Sequence, residues 1–147
     1  MRATVALLAD SANVSREGKL NILGQFDTIW TQSLPVVWPM LVVVVKLEAT
    51  AGEGPKHRLG LRVVDEDGQL VGPQVDAQVE IGKPRVPGLP YRADWILPIG
   101  NAVFPKYETV TFEILADDHN IASIELQIRP ASEIQAGPHK QAGPPQP

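Results

Sequence analysis

The chain has 147 residues, enough for one domain that buries roughly two thirds of its unfolded surface. Its 13 basic residues are scattered and the net charge is −4, so we expect no nucleic-acid partner. The absence of cysteine excludes a disulfide-stapled domain and a thiolate metal site.

Neither of the longer apolar runs is typical of an export or membrane segment. The run over residues 3–9 is short for a signal peptide, and no small-residue cleavage site follows it. The run over residues 36–45 contains Pro39 and has about half the length that a bilayer requires. We therefore expect a soluble, cytoplasmic protein without a membrane partner.

The first third of the chain is predicted to be extended. Residues 2–9 form the first predicted strand, residues 10–18 a polar connection, and residues 19–30 a second extended segment. Apolar residues in this second segment change parity before Ile29, which predicts a bulge near Asp27. Residues 36–48 follow as a third segment, and the apolar run over residues 36–45 within it predicts a central strand covered on both faces.

A hairpin is predicted over residues 56–64 and 74–81, because apolar and charged residues alternate in both segments. The turn Asp65-Glu66-Asp67-Gly68 suits a type I turn with Gly68 in the left-handed conformation. The predicted register places three pairs opposite each other: Val64 with Leu70, Leu59 with Val75, and Arg58 with Asp76.

A strand over residues 91–99 is predicted to end at Pro98 and Gly100. The final hairpin covers residues 110–116 and 122–128, with Asp118-His119-Asn120 as its loop. Its predicted register pairs Ile114 with Ile124 and Phe112 with Leu126. Residues 130–147 are rich in proline, glycine and glutamine, and we expect a flexible C-terminal tail there.

Seven or eight short strands joined by turns predict an all-β fold. We expect a two-sheet antiparallel β-sandwich of Greek-key or jelly-roll type, formed by a single domain over residues 1–129. Such a pattern specifies a fold without specifying a chemistry.

Motifs for catalysis or metal binding are weak. The acidic turn before Gly68 has Gln74 where a calcium loop requires glutamate, and the three histidines lack ligand spacing. No glycine-flanked nucleophilic serine is present. We expect no metal, no cofactor and no catalytic residue. The hypothesis of a hydrolase would require a pair from four carboxylates: Asp10, Glu17, Asp27 and Asp94.

Two sets of residues could form a recognition surface. The polar set caps or lines the first two strands and consists of Asp10, Asn13, Asn21 and Asp27. The aromatic set could stack on a sugar, although tryptophans within apolar strands are more often core or interface residues. Its members are Trp30, Trp38 and Trp95.

The segment ALLADSANVSREGKLNILGQFD, residues 6–27, is similar to the opening of an uncharacterised bacterial protein family of small single-domain chains. The turn at Gly68 and the hairpin after Tyr107 resemble the same pattern, which extends the resemblance over residues 1–129. The resemblance implies one β-rich domain and no particular reaction.

The leading functional hypothesis is a non-enzymatic interaction or assembly module that self-associates or binds a protein partner. The alternative is a β-sandwich that binds a small ligand or carbohydrate through a tryptophan. A carboxylate-based hydrolase is the third hypothesis.

Overall fold

The computed structural model describes residues 1–135, which form nine β-strands and a short 3-10 turn, Ala131–Glu133. The predicted tail therefore starts within the described residues, and its part from residue 136 onward lies outside them. The strands are β1 Arg2–Val14, β2 Leu20–Phe26, β3 Thr28–Thr31, β4 Val36–Ala49, β5 Lys56–Val64, β6 Val75–Glu80, β7 Tyr91–Phe104, β8 Thr109–Ala116 and β9 His119–Pro130.

The strands form two sheets, with the order β2-β1-β4-β7 in one and β3-β9-β8-β5-β6 in the other. The all-β class is confirmed, but the count of seven or eight strands is too low. The predicted second segment divides at Asp27 into β2 and β3, which belong to different sheets. The purely antiparallel arrangement is also wrong, because β3 pairs with β9 in parallel.

The main core draws buried side chains from both sheets. Five consecutive residues of β4, Leu41 to Val45, are buried, which confirms the prediction of a strand covered on both faces. The odd-numbered members face the main core, whereas Val42 and Val44 belong to a second cluster with Ala9. The outer surface of the four-stranded sheet is thus apolar along part of β4.

The hairpin of β5 and β6 has the predicted turn, with Gly68 at φ 76° and Val64 bridged to Leu70. Beyond that bridge the predicted register is wrong by two residues. Gly72 lies so close to Val63 that an added Cβ would be 2.9 Å from the valine Cβ, and the extra residues of this segment shift the pairing. The observed pairs are Leu61 with Val75, Leu59 with Ala77 and Arg58 with Gln78.

The predicted register of the last hairpin is also wrong. Its loop consists of Asp117 and Asp118, both at positive φ, between the paired residues Ala116 and His119. This is the two-residue type I′ geometry. A bulge after Asn120 then shifts the strands, so that the observed pairs are Ile114 with Ala122 and Phe112 with Ile124.

Strand β7 continues beyond Pro98, so the predicted end of this strand is wrong. The strand lies at the edge of its sheet, where a proline is tolerated. Asn101 adopts φ 51°, and the residues on both sides of it, Gly100 and Ala102, are paired with β4. Among residues 1–135, no helix is long and apolar enough to cross a membrane.

Candidate functional site

The hairpin over residues 10–26, which we call the arm, extends beyond the sheet from which it starts. β1 pairs with β4 only as far as Ala9, which lies opposite Val42. From Ser11 to Val14 it pairs with β2 alone. The predicted polar connection after residue 9 is therefore partly strand, and the arm contains most of the motif on which the family resemblance depends.

Gly24 determines the shape of the arm. Its φ is 69°, and an added Cβ would lie 2.3 Å from Oδ2 of Asp10 on the opposite strand. Only glycine combines this backbone conformation with such a close approach. The register of β1 and β2 is the same on both sides of Gly24. The two strands therefore keep their register across Gly24, with Ala9 opposite Gln25 and Ser11 opposite Leu23.

The inner side of the arm packs on the four-stranded sheet. Ala12 and Leu20 contact the second apolar cluster, formed by Ala9, Val42 and Val44. This packing covers outer-face valines that would otherwise be exposed to solvent. The arm is consequently anchored by apolar contacts as well as by its hydrogen bonds to β1.

The tip of the arm is a compact turn. Gly18, at φ 81°, donates its N–H to the carbonyl of Ser15 at 2.9 Å. The hydroxyl oxygen of Ser15 accepts the N–H of Lys19 at 3.1 Å, while the Ser15 N–H reaches the Lys19 carbonyl at 2.8 Å. These bonds hold the two strands of the arm at a fixed separation.

Three of the predicted recognition residues lie on the arm. The side-chain amide of Asn21 donates to Oδ1 of Asn13 across the two strands at 3.0 Å, and Asp10 lies over Gly24. Asp27 follows β2 directly, and its Oδ1 accepts the Thr28 hydroxyl at 2.9 Å. The polar set therefore lies along one hairpin and its exit.

The aromatic set is not equally exposed. Trp38 and Trp95 pack against the main core, and the ring of Trp38 is 5.9 Å from that of Phe26. Trp30 is 45% exposed on β3, opposite Arg129. A single tryptophan therefore presents much of its surface to solvent.

Apolar side chains on the arm were missed by the sequence analysis. Leu23 is 71% exposed, Val14 is 45% exposed and Ile22 is 37% exposed. Leu23 has the opposite parity to Leu20, Ile22 and Phe26, so the alternation already placed it away from the expected core face. An apolar residue on the solvent side of a strand is the signal that could have identified it.

The outer edge of β2 lacks two features that commonly protect a sheet edge, proline and charged side chains. Within residues 1–135, β2 pairs with β1 alone and is the last strand of its sheet. Its seven residues include neither proline nor a charged residue. Lys19 and Asp27 flank it directly, one at each end.

Polar groups elsewhere are bound to structural partners. His57 is buried, with Nδ1 2.7 Å from Oδ2 of Asp117 and Nε2 2.8 Å from the Gly54 carbonyl. The hydrogen bond with His57, followed by that from the Arg58 N–H, lowers the pKa of Asp117. This pair fastens the start of β5 to the last hairpin turn.

The carboxylates that a hydrolase would require have separate environments. Asp94 binds Nζ of Lys46 on the four-stranded sheet at 3.0 Å. Asp10 lies on the arm and Asp27 at its exit. Among residues 1–135, no group of three or more histidine, aspartate or glutamate side chains could hold a metal ion.

A shallow apolar cleft lies along the opposite edge of the four-stranded sheet. It has a volume of about 430 Å³ and is bordered by β7 and by the segment that leads into β6. Its apolar lining includes Val71, Pro73, Ile99 and Val103. Pro98 and the left-handed Asn101 interrupt the edge of β7 at this cleft.

These features define an all-β protein with a four-stranded sheet, a five-stranded sheet and an exposed hairpin arm. The chain belongs to a family of unknown function, DUF6941, whose family model matches residues 4–129. This confirms the expected membership of an uncharacterised family, whereas its bacterial origin stays a prediction. A comparison with curated proteins found no match.

Proposed function

We propose that this protein is a non-enzymatic interaction module that binds a protein partner through the arm. The observation that carries the proposal is the combination of the exposed Leu23 with an uncharged edge strand, β2. A free edge presents unpaired backbone N–H and C=O groups, and an extended segment of a partner can satisfy them. The neighbouring apolar side chains would add buried area.

The packing of the arm supports this role. Ala12 and Leu20 hold it against the sheet, and its register is the same on both sides of Gly24. A preformed binding strand loses less conformational entropy when it binds than a flexible segment would. The arm is therefore suited to recognition at modest entropic cost.

A scaffold of sandwich type is part of the proposal. The supporting observation is the main core, which joins Val43 of β4 in one sheet to Leu61 of β5 and Ile114 of β8 in the other. Two sheets that share one core keep their outer faces and edges available for contacts. The polar pairs of His57 with Asp117 and of Lys46 with Asp94 would serve stability rather than catalysis.

Site-specific photo-crosslinking in living cells tests this function. A benzoylphenylalanine at position 23 should form adducts, because Leu23 lies at the proposed contact. The matched control is position 37, where Val37 of β4 is 52% exposed but lies outside the arm. Adducts at position 23 and not at position 37 are expected. Equal labelling, or none at position 23, would contradict the proposal.

A second candidate function is carbohydrate binding, which Trp30 favours. Its exposed ring neighbours Arg129, and Nε of that arginine is 2.9 Å from Oε2 of Glu133. A ring beside polar side chains can stack on a sugar while they bind its hydroxyls. A titration with an oligosaccharide panel should change the tryptophan fluorescence, and Trp30→Phe should reduce the response. An unchanged emission would exclude this function for the sugars tested.

A further inference from the structure

We propose that the partner of the arm is a second copy of this chain, joined to the first by antiparallel pairing of the two β2 edges. The inference rests on the proposed function, since it names the occupant of the same edge. A twofold axis would pass beside Leu23, and the two four-stranded sheets would form one continuous sheet. The basis is the self-complementarity of residues 19–27.

The sequence of the edge matches its own reverse. When two identical strands pair in antiparallel fashion around Leu23, polar residues lie opposite polar residues and apolar residues lie opposite apolar residues. The exception is Ile22, which lies opposite Gly24. The register consists of Leu23 with Leu23, Ile22 with Gly24, Asn21 with Gln25, Leu20 with Phe26, and Lys19 with Asp27.

Charge selects this register over its neighbours. Two residues that face each other across an antiparallel pair must both point their N–H and C=O groups toward the partner strand, or both away from it. In a symmetric pair, residues with even numbers therefore face even numbers and odd face odd, so the axis moves from one residue to the next. The next register in one direction places Lys19 against Gln25, and the next in the other places Asp27 against Asn21. Both lose the two symmetry-related ion pairs of Lys19 with Asp27.

Other edges in the described part of the chain are unsuited to self-pairing. A symmetric pair of β6 strands centred on Gln78 would place Asp76 of one copy against Glu80 of the other. β3 has four residues, and β7 contains Pro98, which has no N–H to donate to an added strand. Among these described edges, only β2 combines seven uncharged residues with opposite charges at its two ends.

The exposure of Leu23 agrees with a contact at the axis. Its side chain is 71% exposed in the single chain, and two such side chains would meet directly across the axis. Cross-strand neighbours have Cβ atoms about 4.5–5.5 Å apart. Pairing would therefore bury apolar surface that a single copy exposes to solvent.

The absence of cysteine allows a direct geometric test. A Leu23→Cys variant has one thiol per chain, so any disulfide must join two copies. Opposed positions at the axis come close to the Cβ separation of a disulfide. Mild oxidation should give a covalent dimer about tenfold faster than in Val37→Cys, the matched exposed control. Equal rates for the two variants would overturn the proposed axis.

Charge exchange tests the register. Lys19→Glu and Asp27→Lys should each raise the dimer dissociation constant about tenfold, because each creates two like-charged pairs. The double variant restores opposite charges and should return the constant to within about threefold of the original. Sedimentation equilibrium measures all four proteins. A double variant as weak as the single variants would overturn the register.

One comparison separates the failure of this inference from that of the proposed function. If the purified chain stays at its monomer mass of 16.0 kDa at every concentration, self-pairing is wrong. Photo-adducts of position 23 to another protein would then still support an interaction module. If adducts are also absent, both proposals fail.

Discussion

The four-stranded sheet ends in two strands of different character. β7 has 14 residues, and its edge is interrupted by Pro98 and by Asn101 at φ 51°. Its charged residues are paired with β4, as in the 3.0 Å contact of Asp94 with Lys46. β2 has seven residues, none of them charged or proline, and carries the exposed Leu23.

The difference between the two edges is the reason for proposing association at β2 and not at β7. Proline is a common means of blocking edge-to-edge aggregation, and the longer edge contains Pro98. Each edge also has one residue at positive φ, Asn101 in β7 and Gly24 in β2, and each strand keeps its register on both sides of that residue. The proposed association therefore uses the β2 edge, which has no proline, and not the β7 edge.

The largest expected effect comes from two leucine substitutions, one that should affect the stability of the fold and one that should affect self-association. Leu8 of β1 is fully buried, and Leu8→Ala should lower the free energy of unfolding by about 2–5 kcal/mol through the cavity it leaves. Leu23→Ala should change that free energy by less than about 0.5 kcal/mol and still weaken self-association. Denaturant titration and light scattering measure the two effects. A large loss of stability in Leu23→Ala would show that Leu23 is part of the core.

A smaller effect on stability is expected from a substitution of Gly24. Gly24→Ala requires a left-handed alanine and displaces the Asp10 carboxylate, so the unfolding free energy should fall by about 1–2 kcal/mol. Gly52→Ala is the control, because an added Cβ there meets nothing within 4 Å. Adding Asp10→Ala to Gly24→Ala should recover only the part due to the collision. Full recovery would mean that the backbone conformation of Gly24 is not strained for alanine.

The protected edge can be opened by one substitution. We expect the ring of Pro98 to oppose strand addition, so Pro98→Thr should restore an N–H and allow species larger than a dimer. The effect on stability should stay within about 1 kcal/mol, because the site is at an edge. Light scattering of Pro98→Thr beside Pro105→Thr, which lies just after β7, measures the change. Identical masses for the two variants would show that this proline does not protect the edge.

The smallest expected effect concerns Asp117, which lies away from both edges of the four-stranded sheet. The lowered pKa of Asp117 means that its contribution to stability is present above the unfolded-state value of about 3.9 and is lost as the pH falls below it. Asp117→Asn should therefore flatten the loss of thermal stability below about pH 4. Melting curves between neutral and acid pH measure it. An unchanged acid slope in this variant would assign the acid sensitivity to other carboxylates.

Local patterns predicted most elements but not their registers. The turn at Gly68 follows from turn chemistry, and the burial of Leu41 to Val45 in β4 follows from their run of five apolar residues. The register after Gly72 depends on a close approach to Val63 within the same hairpin, which the alternation of apolar and charged residues does not reveal. The last hairpin depends on two aspartates at positive φ, a conformation that the sequence permits without requiring.

The candidate site was only half predictable for a similar reason. Asp10, Asn13 and Asn21 stand out as polar residues on the first strands, and the structure brings them onto one hairpin. Whether β2 lies at an edge depends on the strand order, which is set by long-range packing. Leu23 gains its significance from that order.

The parallel pairing of β3 with β9 has a consequence during synthesis of the chain. Thr28 pairs with Gln127, about 100 residues further along. At about 5–20 residues per second, a ribosome needs roughly 5–20 s to supply the missing neighbour. During that interval β1, β2 and β4 can associate, whereas Ile29, buried in the finished protein, has no strand to receive it. In nascent chains Ile29 should therefore lack its neighbouring strand until β9 has been synthesised.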